Sequence, residues 1–149
     1  MQGIFLMSKF AQKELAVAKF VDICRSCGMQ KYYQKETDAD GNLKPKIYRG
    51  IVLKDAQKSS IYMRFQVTDD FEEIAADNVS WFRTTYIDGA LYSANGEGDE
   101  AFQDLANKLS EEFDKHDTIK FGFTEDGWDI SLDSEDKIYY IRLYAEITH

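Results

Sequence analysis

Hydrophobic residues along this chain recur with two different periods, and the switches between them mark out the elements. Over residues 8–27, Val17, Phe20, Val21 and Cys24 fall at three- and four-residue spacing while Lys9, Lys13, Lys19 and Arg25 point elsewhere. That spacing predicts an amphipathic helix capped by Ser8 and stopped at Gly28. A second helix is predicted over 99–115, where Phe102, Leu105, Leu109 and Phe113 form one stripe. Elsewhere the period falls to two. Segments 30–36 and 45–54 read as extended arms of a hairpin turning at Asp38-Ala39-Asp40-Gly41-Asn42. The same pentapeptide resembles the opening of a calcium loop, but its twelfth position is Arg49 rather than the bidentate Glu that the ion needs. Residues 59–67 alternate, with Ile61, Met63, Phe65 and Val67 on one face; an acidic turn at Asp69-Asp70 and a helical turn over 71–76 are expected next. Residues 80–88 set Phe82 and Tyr86 against Trp81, Arg83 and Thr85. Ile119, Phe121 and Phe123 alternate, as do Trp128, Ile130 and Leu132 beyond Asp126-Gly127, giving either a hairpin or one long bent strand. The last strand, 137–147, is the clearest, with Ile141, Leu143, Ala145 and Ile147 opposite Tyr140, Arg142 and Tyr144.

The expected class is therefore β-rich α+β. At 149 residues with one proline, the chain reads as a single domain over 1–149. The opening seven residues hold a four-residue apolar run and no basic region, too short for a signal peptide core or a membrane span. A soluble, cytoplasmic protein without membrane contact is the expectation. Cys24 and Cys27 form a C-x-x-C, yet a zinc site needs two more ligands and only His116 and His149 exist far downstream. A redox pair belongs at a helix start, whereas this helix is ending. Two semi-buried thiols, with no metal and no cofactor, are expected.

Charge adds a further pattern. Residues 1–66 carry net +6 and residues 67–149 net −15, within an overall −9. The cations that stand out share a strand face with a ring: Lys46 and Tyr48, Tyr62 and Arg64, Trp81 and Arg83, Tyr140 with Arg142 and Tyr144. If these strands share a sheet, rings and cations line one surface. Unpaired bases stack on aromatics while Lys and Arg neutralise phosphates, so such a face suits a single-stranded nucleic acid. Tyr and Trp also favour strands in general, and cross-strand Arg–aromatic pairs stabilise any exposed sheet. Both readings stand on the pattern.

From about residue 45 onward, the element order and several local phrases carry a resemblance. The phrases are Arg64-Phe65-Gln66-Val67, Trp81-Phe82-Arg83, Leu105-Ala106-Asn107-Lys108-Leu109, His116-Asp117 and the closing Tyr139-Tyr140-Ile141-Arg142-Leu143-Tyr144-Ala145-Glu146-Ile147. This stretch resembles the OB-fold of bacterial and phage single-stranded-DNA-binding proteins. The resemblance implies a five-stranded Greek-key barrel over 45–149, with a helix before the fourth strand and an extra N-terminal helix (8–27) and hairpin. It also implies sequence-tolerant ssDNA binding in phage or mobile-element replication or recombination. An unpaired edge adds the expectation of a homo-oligomer.

Two rivals accompany this reading. The acidic stretches 97–117 and 125–136 could instead serve an inhibitor, an immunity-type protein or a nucleic-acid mimic that meets a basic protein partner, although such runs are ordinarily solvated faces. An enzyme is disfavoured, because the carboxylate pairs Asp69/Asp70, Glu72/Glu73 and Glu125/Asp126 are adjacent and point to opposite faces on a strand. A metal-dependent hydrolase is the form an enzyme would take.

Overall fold

Among the described residues, two helices lie against one face of a six-stranded sheet and no further element covers the other. The computed structural model describes residues 8–50, 59–74, 81–130 and 136–149, and the side chains of Glu73, Ile74 and Trp81 fall outside that description. The elements are α1 (Lys9–Ser26), β1 (Gln30–Lys31), β2 (Lys46–Arg49), β3 (Ile61–Ile74), β4 (Trp81–Ser93), α2 (Glu100–Asp114), β5 (Ile119–Ile130) and β6 (Lys137–Thr148). In space the strands run β1-β2-β3-β4-β6-β5. β1, β2 and β3 are mutually parallel, while β3–β4, β4–β6 and β6–β5 are antiparallel.

Both helices start where a side chain can accept an orphan amide: Ser8 from Ala11 N, and Asp99 from Ala101 N. Their apolar stripes meet the same alternate residues of the sheet. Val17, Phe20, Ile23 and Cys24 of α1 and Phe102, Leu105, Leu109 and Phe113 of α2 pack with Met63, Phe65, Ile87, Leu91, Leu143 and Ile147. Phe20 joins the layers, edge-on to Phe65 at 5.1 Å and stacked on Phe113 at 5.3 Å. At the centre, Gly89 sits where a Cβ would lie 2.4 Å from the Arg64 carbonyl oxygen and 2.9 Å from the Phe65 Cα. Backbone occupies the space that any side chain would need.

The β-rich α+β class holds, but the sheet is open, not a barrel. β1 and β5 stand at opposite edges and the core lies between sheet and helices. Closure would need the two edges to pair. Here the β1 edge is two residues long and the helices fill the concavity that a barrel would wrap around. Several local expectations change for related reasons. The turn at 38–42 forms as its residues demand, Asp38 Oδ1 accepting from the amides of Asp40 and Asn42, beneath a Thr37–Leu43 bridge. Its flanks nonetheless continue into parallel β1 and β2 rather than a hairpin.

No turn interrupts at Asp69-Asp70. β3 passes through a bulge between Val67 and Asp69 and stays paired with β4 as far as Ile74. β4 likewise runs on past 88, to Ser93. Of the two alternatives for 119–132, one long strand is found; its pairing with β6 slips by one residue between Phe123 and Asp126. The Tyr139 hydroxyl donates to Asp126 Oδ2 at 2.9 Å across that slip. Burial, together with this carboxylate, pushes the phenol up to about 12. Residues 51–54, 75, 76, 131 and 132 of the expected elements lie outside the described residues.

The crowding at Gly89 yields a first prediction. Gly89→Ala must separate β3 from β4, and overpacking of this kind costs about 1–3 kcal/mol or more. A urea melt should show the midpoint fall by the corresponding amount; an unchanged midpoint would mean that the strands are not this close.

Candidate nucleic-acid interface

On the face away from the helices, the register aligns side chains in cross-strand rows. One row is Lys46, Tyr62, Tyr92, Tyr140 and Gly127; the next is Tyr48, Arg64, Ala90 and Arg142; a third is Gln66, Asp88, Tyr144 and Gly122. The first row makes its own cover. Tyr32 stacks on Tyr48 at 6.0 Å, Tyr48 meets Tyr62 edge-on at 5.9 Å, Tyr62 stacks on Tyr92 at 4.8 Å and 13°, and Tyr92 reaches Tyr140 at 6.0 Å. Tyr48, Tyr62 and Tyr92 are only 3%, 5% and 8% exposed as a result. Lys46 is buried beside them, its Nζ donating to the Tyr32 carbonyl at 3.0 Å, and burial holds its ammonium below the usual lysine range.

Arg64 and Arg142 flank Ala90, whose methyl leaves a gap between them. The gap widens into an indentation of about 390 Å³ walled by Tyr92, Tyr140, Asp88 and Asp129. Two tyrosines border it in a distinctive way. A Cβ on Gly127 would lie 2.9 Å from the Tyr140 hydroxyl, and one on Gly122 would lie 2.8 Å from Tyr144 Cε1. Each ring therefore lies across a glycine of the neighbouring strand, the arrangement by which an aromatic covers a bare stretch of backbone. Tyr140 is half-buried and Tyr144 is 39% exposed. Carboxylates temper the charge: Glu125 Oε1 stands 3.5 Å from Arg142 Nε, and Asp88 and Asp129 line the rim.

The expected site residues thus divide. Arg64, Tyr140, Arg142 and Tyr144 come together on the open face. Lys46, Tyr48 and Tyr62 share that face but lie beneath its surface, as its foundation. Arg83 does not join them. It lies on the helix side, buried, its Nε and Nη2 donating to Asp70 and its Nη1 to Glu72 Oε1 at 2.6 Å. The alternation of β4 puts Arg83 on the side of Thr85, Ile87 and Leu91, and the bulge in β3 turns Asp70 and Glu72 to that same side. The Trp81 side chain lies outside the described residues. Sequence reasoning missed Tyr92 and Ala90, which fall beyond the strand end expected at 88, Gly122, which carried no reading, and Gly127, taken with Asp126 as a turn. Glycines within an otherwise alternating strand, next to a strand rich in tyrosine, are the signal that could have found them.

Around Arg83 a polar cluster closes the far end of the sheet. Thr85 donates to Asp70 Oδ1 at 2.7 Å and lies 2.9 Å from His149 Nε2. Burial raises the Asp70 carboxyl, but the hydrogen bonds from Arg83 and Thr85 and the guanidinium charge outweigh it and leave the group below its usual value. Burial also lowers His149. Among the described residues, no group of three or more His, Cys, Asp or Glu side chains is placed to hold a metal ion, and no helix is long and apolar enough to cross a membrane. The acids Asp104, Glu111 and Asp114 of α2 face solvent. No protein-family model matches this chain, and no curated protein matches it.

Two predictions follow from burial. Arg83→Met strips the guanidinium from Asp70 and leaves Glu72 only Lys9 at 3.3 Å, and should cost about 3–5 kcal/mol, as loss of one partner of a buried pair does. A chemical melt at neutral pH reads this, and an effect below about 1 kcal/mol would place the cluster in solvent. The second concerns acid. Both Asp70 and His149 have folded values depressed below the unfolded ones, so the unfolded chain binds protons first. Stability should be full above the ordinary histidine value of about 6.5. It should decline as pH falls through the His149 value and then further through that of Asp70. A stability that rises on acidification would contradict the assignment.

Proposed function

We propose that the open face of the sheet binds a single-stranded nucleic acid. The observation that carries this reading is one cross-strand row in which Arg64 and Arg142 stand on either side of Ala90, bordered by Tyr140 and Tyr144 lying over glycines. The alanine gap admits a phosphate between two guanidinium forks, the geometry that planar donors fit best. A ring laid along the sheet offers its outer face to a base, and such stacking contributes about 1–3 kcal/mol per base. The tyrosines beneath hold the platform still. Asp88 and Asp129 keep the basic footprint short, so the site grips one or two phosphates rather than a long strand, with stacking as the main source of affinity. Their oxygens also accept from base amino groups, as carboxylates do with cytosine N4.

Fluorescence anisotropy with a labelled oligonucleotide tests this. With one or two phosphates neutralised, log K should fall with log salt at a slope between about −0.7 and −1.4, and Arg64→Ala or Arg142→Ala should each weaken binding and flatten that slope. Tyr144→Ala should weaken binding roughly tenfold with the slope unchanged. Absence of binding at low salt, or binding indifferent to both arginines, would overturn the reading.

A further inference from the structure

The geometry points to a second copy of this chain as the partner of the β5 edge, joined about a two-fold axis into one continuous sheet. Among the described residues, β5 pairs on one side only, with β6, on both sides of its register slip. A strand edge of this kind presents unmatched backbone donors and acceptors to any chain that can supply a matching register. The sequence of β5 supplies that register to itself. It reads Ile119-Lys120-Phe121-Gly122-Phe123-Thr124-Glu125-Asp126-Gly127-Trp128-Asp129-Ile130. Laid antiparallel on its own copy about its midpoint, it sets Ile119 against Ile130, Lys120 against Asp129, Phe121 against Trp128 and Gly122 against Gly127. In these four pairs apolar meets apolar, cation meets anion and small meets small, while at the bulged centre Phe123 falls against Asp126 and Thr124 against Glu125.

Alternation alone would defeat this pairing. Residues 119 and 130 differ by an odd number, so on a regular strand they would point to opposite faces. The slip between Phe123 and Asp126 removes the difficulty. Ile119, Phe121 and Phe123 oppose Ile147, Ala145 and Leu143 on the helix side, and beyond the slip Trp128 and Ile130 oppose Tyr139 and Lys137 on that same side. Lys120, Gly122, Gly127 and Asp129 all fall on the open side. Because hydrogen-bond direction alternates with the side chain, it slips in step, and each matched pair also agrees in the direction its backbone faces.

The exposure of the edge fits the same occupant. Trp128 is 52% and Ile130 63% exposed, against Phe121, which is half-buried. The Lys120 side chain is 81% exposed and lies 4.0 Å from Glu146, its ion-pair partner within the chain. A two-fold contact is isologous, so each feature is used twice: two Lys120–Asp129 pairs and two Phe121–Trp128 pairs flank the axis. Each copy also brings Lys120 to the Asp129 that rims the other copy's arginine cleft, and the two open faces become one surface. The dimer itself rests only on the strand.

Sedimentation velocity without nucleic acid tests it independently of binding. The wild-type chain should sediment as a species of twice 17.2 kDa. Lys120→Glu and Asp129→Lys should each weaken self-association at least tenfold, and the combination of Lys120→Asp with Asp129→Lys should restore it. Amide hydrogen exchange on the wild type keeps the question open to test should a variant not fold: protection over 119–130 should grow with protein concentration. A chain monomeric at about 100 μM, a scale at which a contact of even moderate affinity is populated, would overturn the inference. So would exchange at β5 independent of concentration, or a dimer that neither charge reversal disturbs.

Discussion

A sheet with both helices on one side has a second apolar-capable face that no element among the described residues covers, and the remaining architecture answers to that constraint. Tyrosine is the residue that can satisfy it without another layer. Its ring buries against neighbouring rings while its hydroxyl stays within reach of water or a polar partner. Tyr48, Tyr62 and Tyr92, on three adjacent strands, close over one another, with Tyr32 and Tyr140 at the two ends. Each contact adds about 0.5–1.5 kcal/mol to what area burial provides. The charge of Lys46 is tolerated inside this layer because a backbone carbonyl meets it. What reads in sequence as a face of rings and cations is in part a second, self-covering core.

The two faces are coupled through adjacent small residues of β4. Gly89 lets the backbones of β3 and β4 approach on the helix side, and Ala90 leaves the gap between Arg64 and Arg142 on the other. A larger residue at either position acts on both faces: at 89 it spreads the strands whose spacing sets the distance between the arginines, and at 90 it fills the floor between them. The site is thus a consequence of tight strand packing, not an ornament on a finished sheet.

The helices, their caps and the alternating cores of β3, β5 and β6 were legible because each depends on local spacing alone. Ser8, the Phe102–Phe113 stripe and the run from Ile141 to Ile147 carry their periods openly. What the sequence concealed is non-local. Asp69-Asp70 has turn chemistry, yet β4 supplies thirteen residues for β3 to pair with, and that ladder outweighs a local preference. Arg83 was hidden for a related reason: the alternation of β4 sets it on the side of Ile87 and Leu91, and the bulge that keeps the ladder together brings Asp70 and Glu72 round to meet it. Parallel pairing of β1 with β2 was equally hidden, since the turn at Asp38 looks identical whether the segments it joins go on to pair antiparallel or parallel. The open sheet in place of a barrel follows from where the helices pack, which no single segment encodes.

The irregularity in β5 shows how one inserted residue can organise both sides of a sheet. Before it, odd positions face the helices; after it, even positions do. Without the slip, Trp128 would emerge on the open face across from Tyr140's neighbourhood, and Gly127 would fall on the helix side. Tyr140 would then lose the bare backbone on which it rests. With the slip, the indole packs edge-on against Tyr139 at 5.5 Å while the glycine lies under Tyr140. The Tyr139 hydroxyl bonded to Asp126 fastens the strand just where the register changes. The slip decides which residues meet the helices, which form the platform and which line the β5 edge. The platform and the edge are for this reason two readouts of one backbone feature.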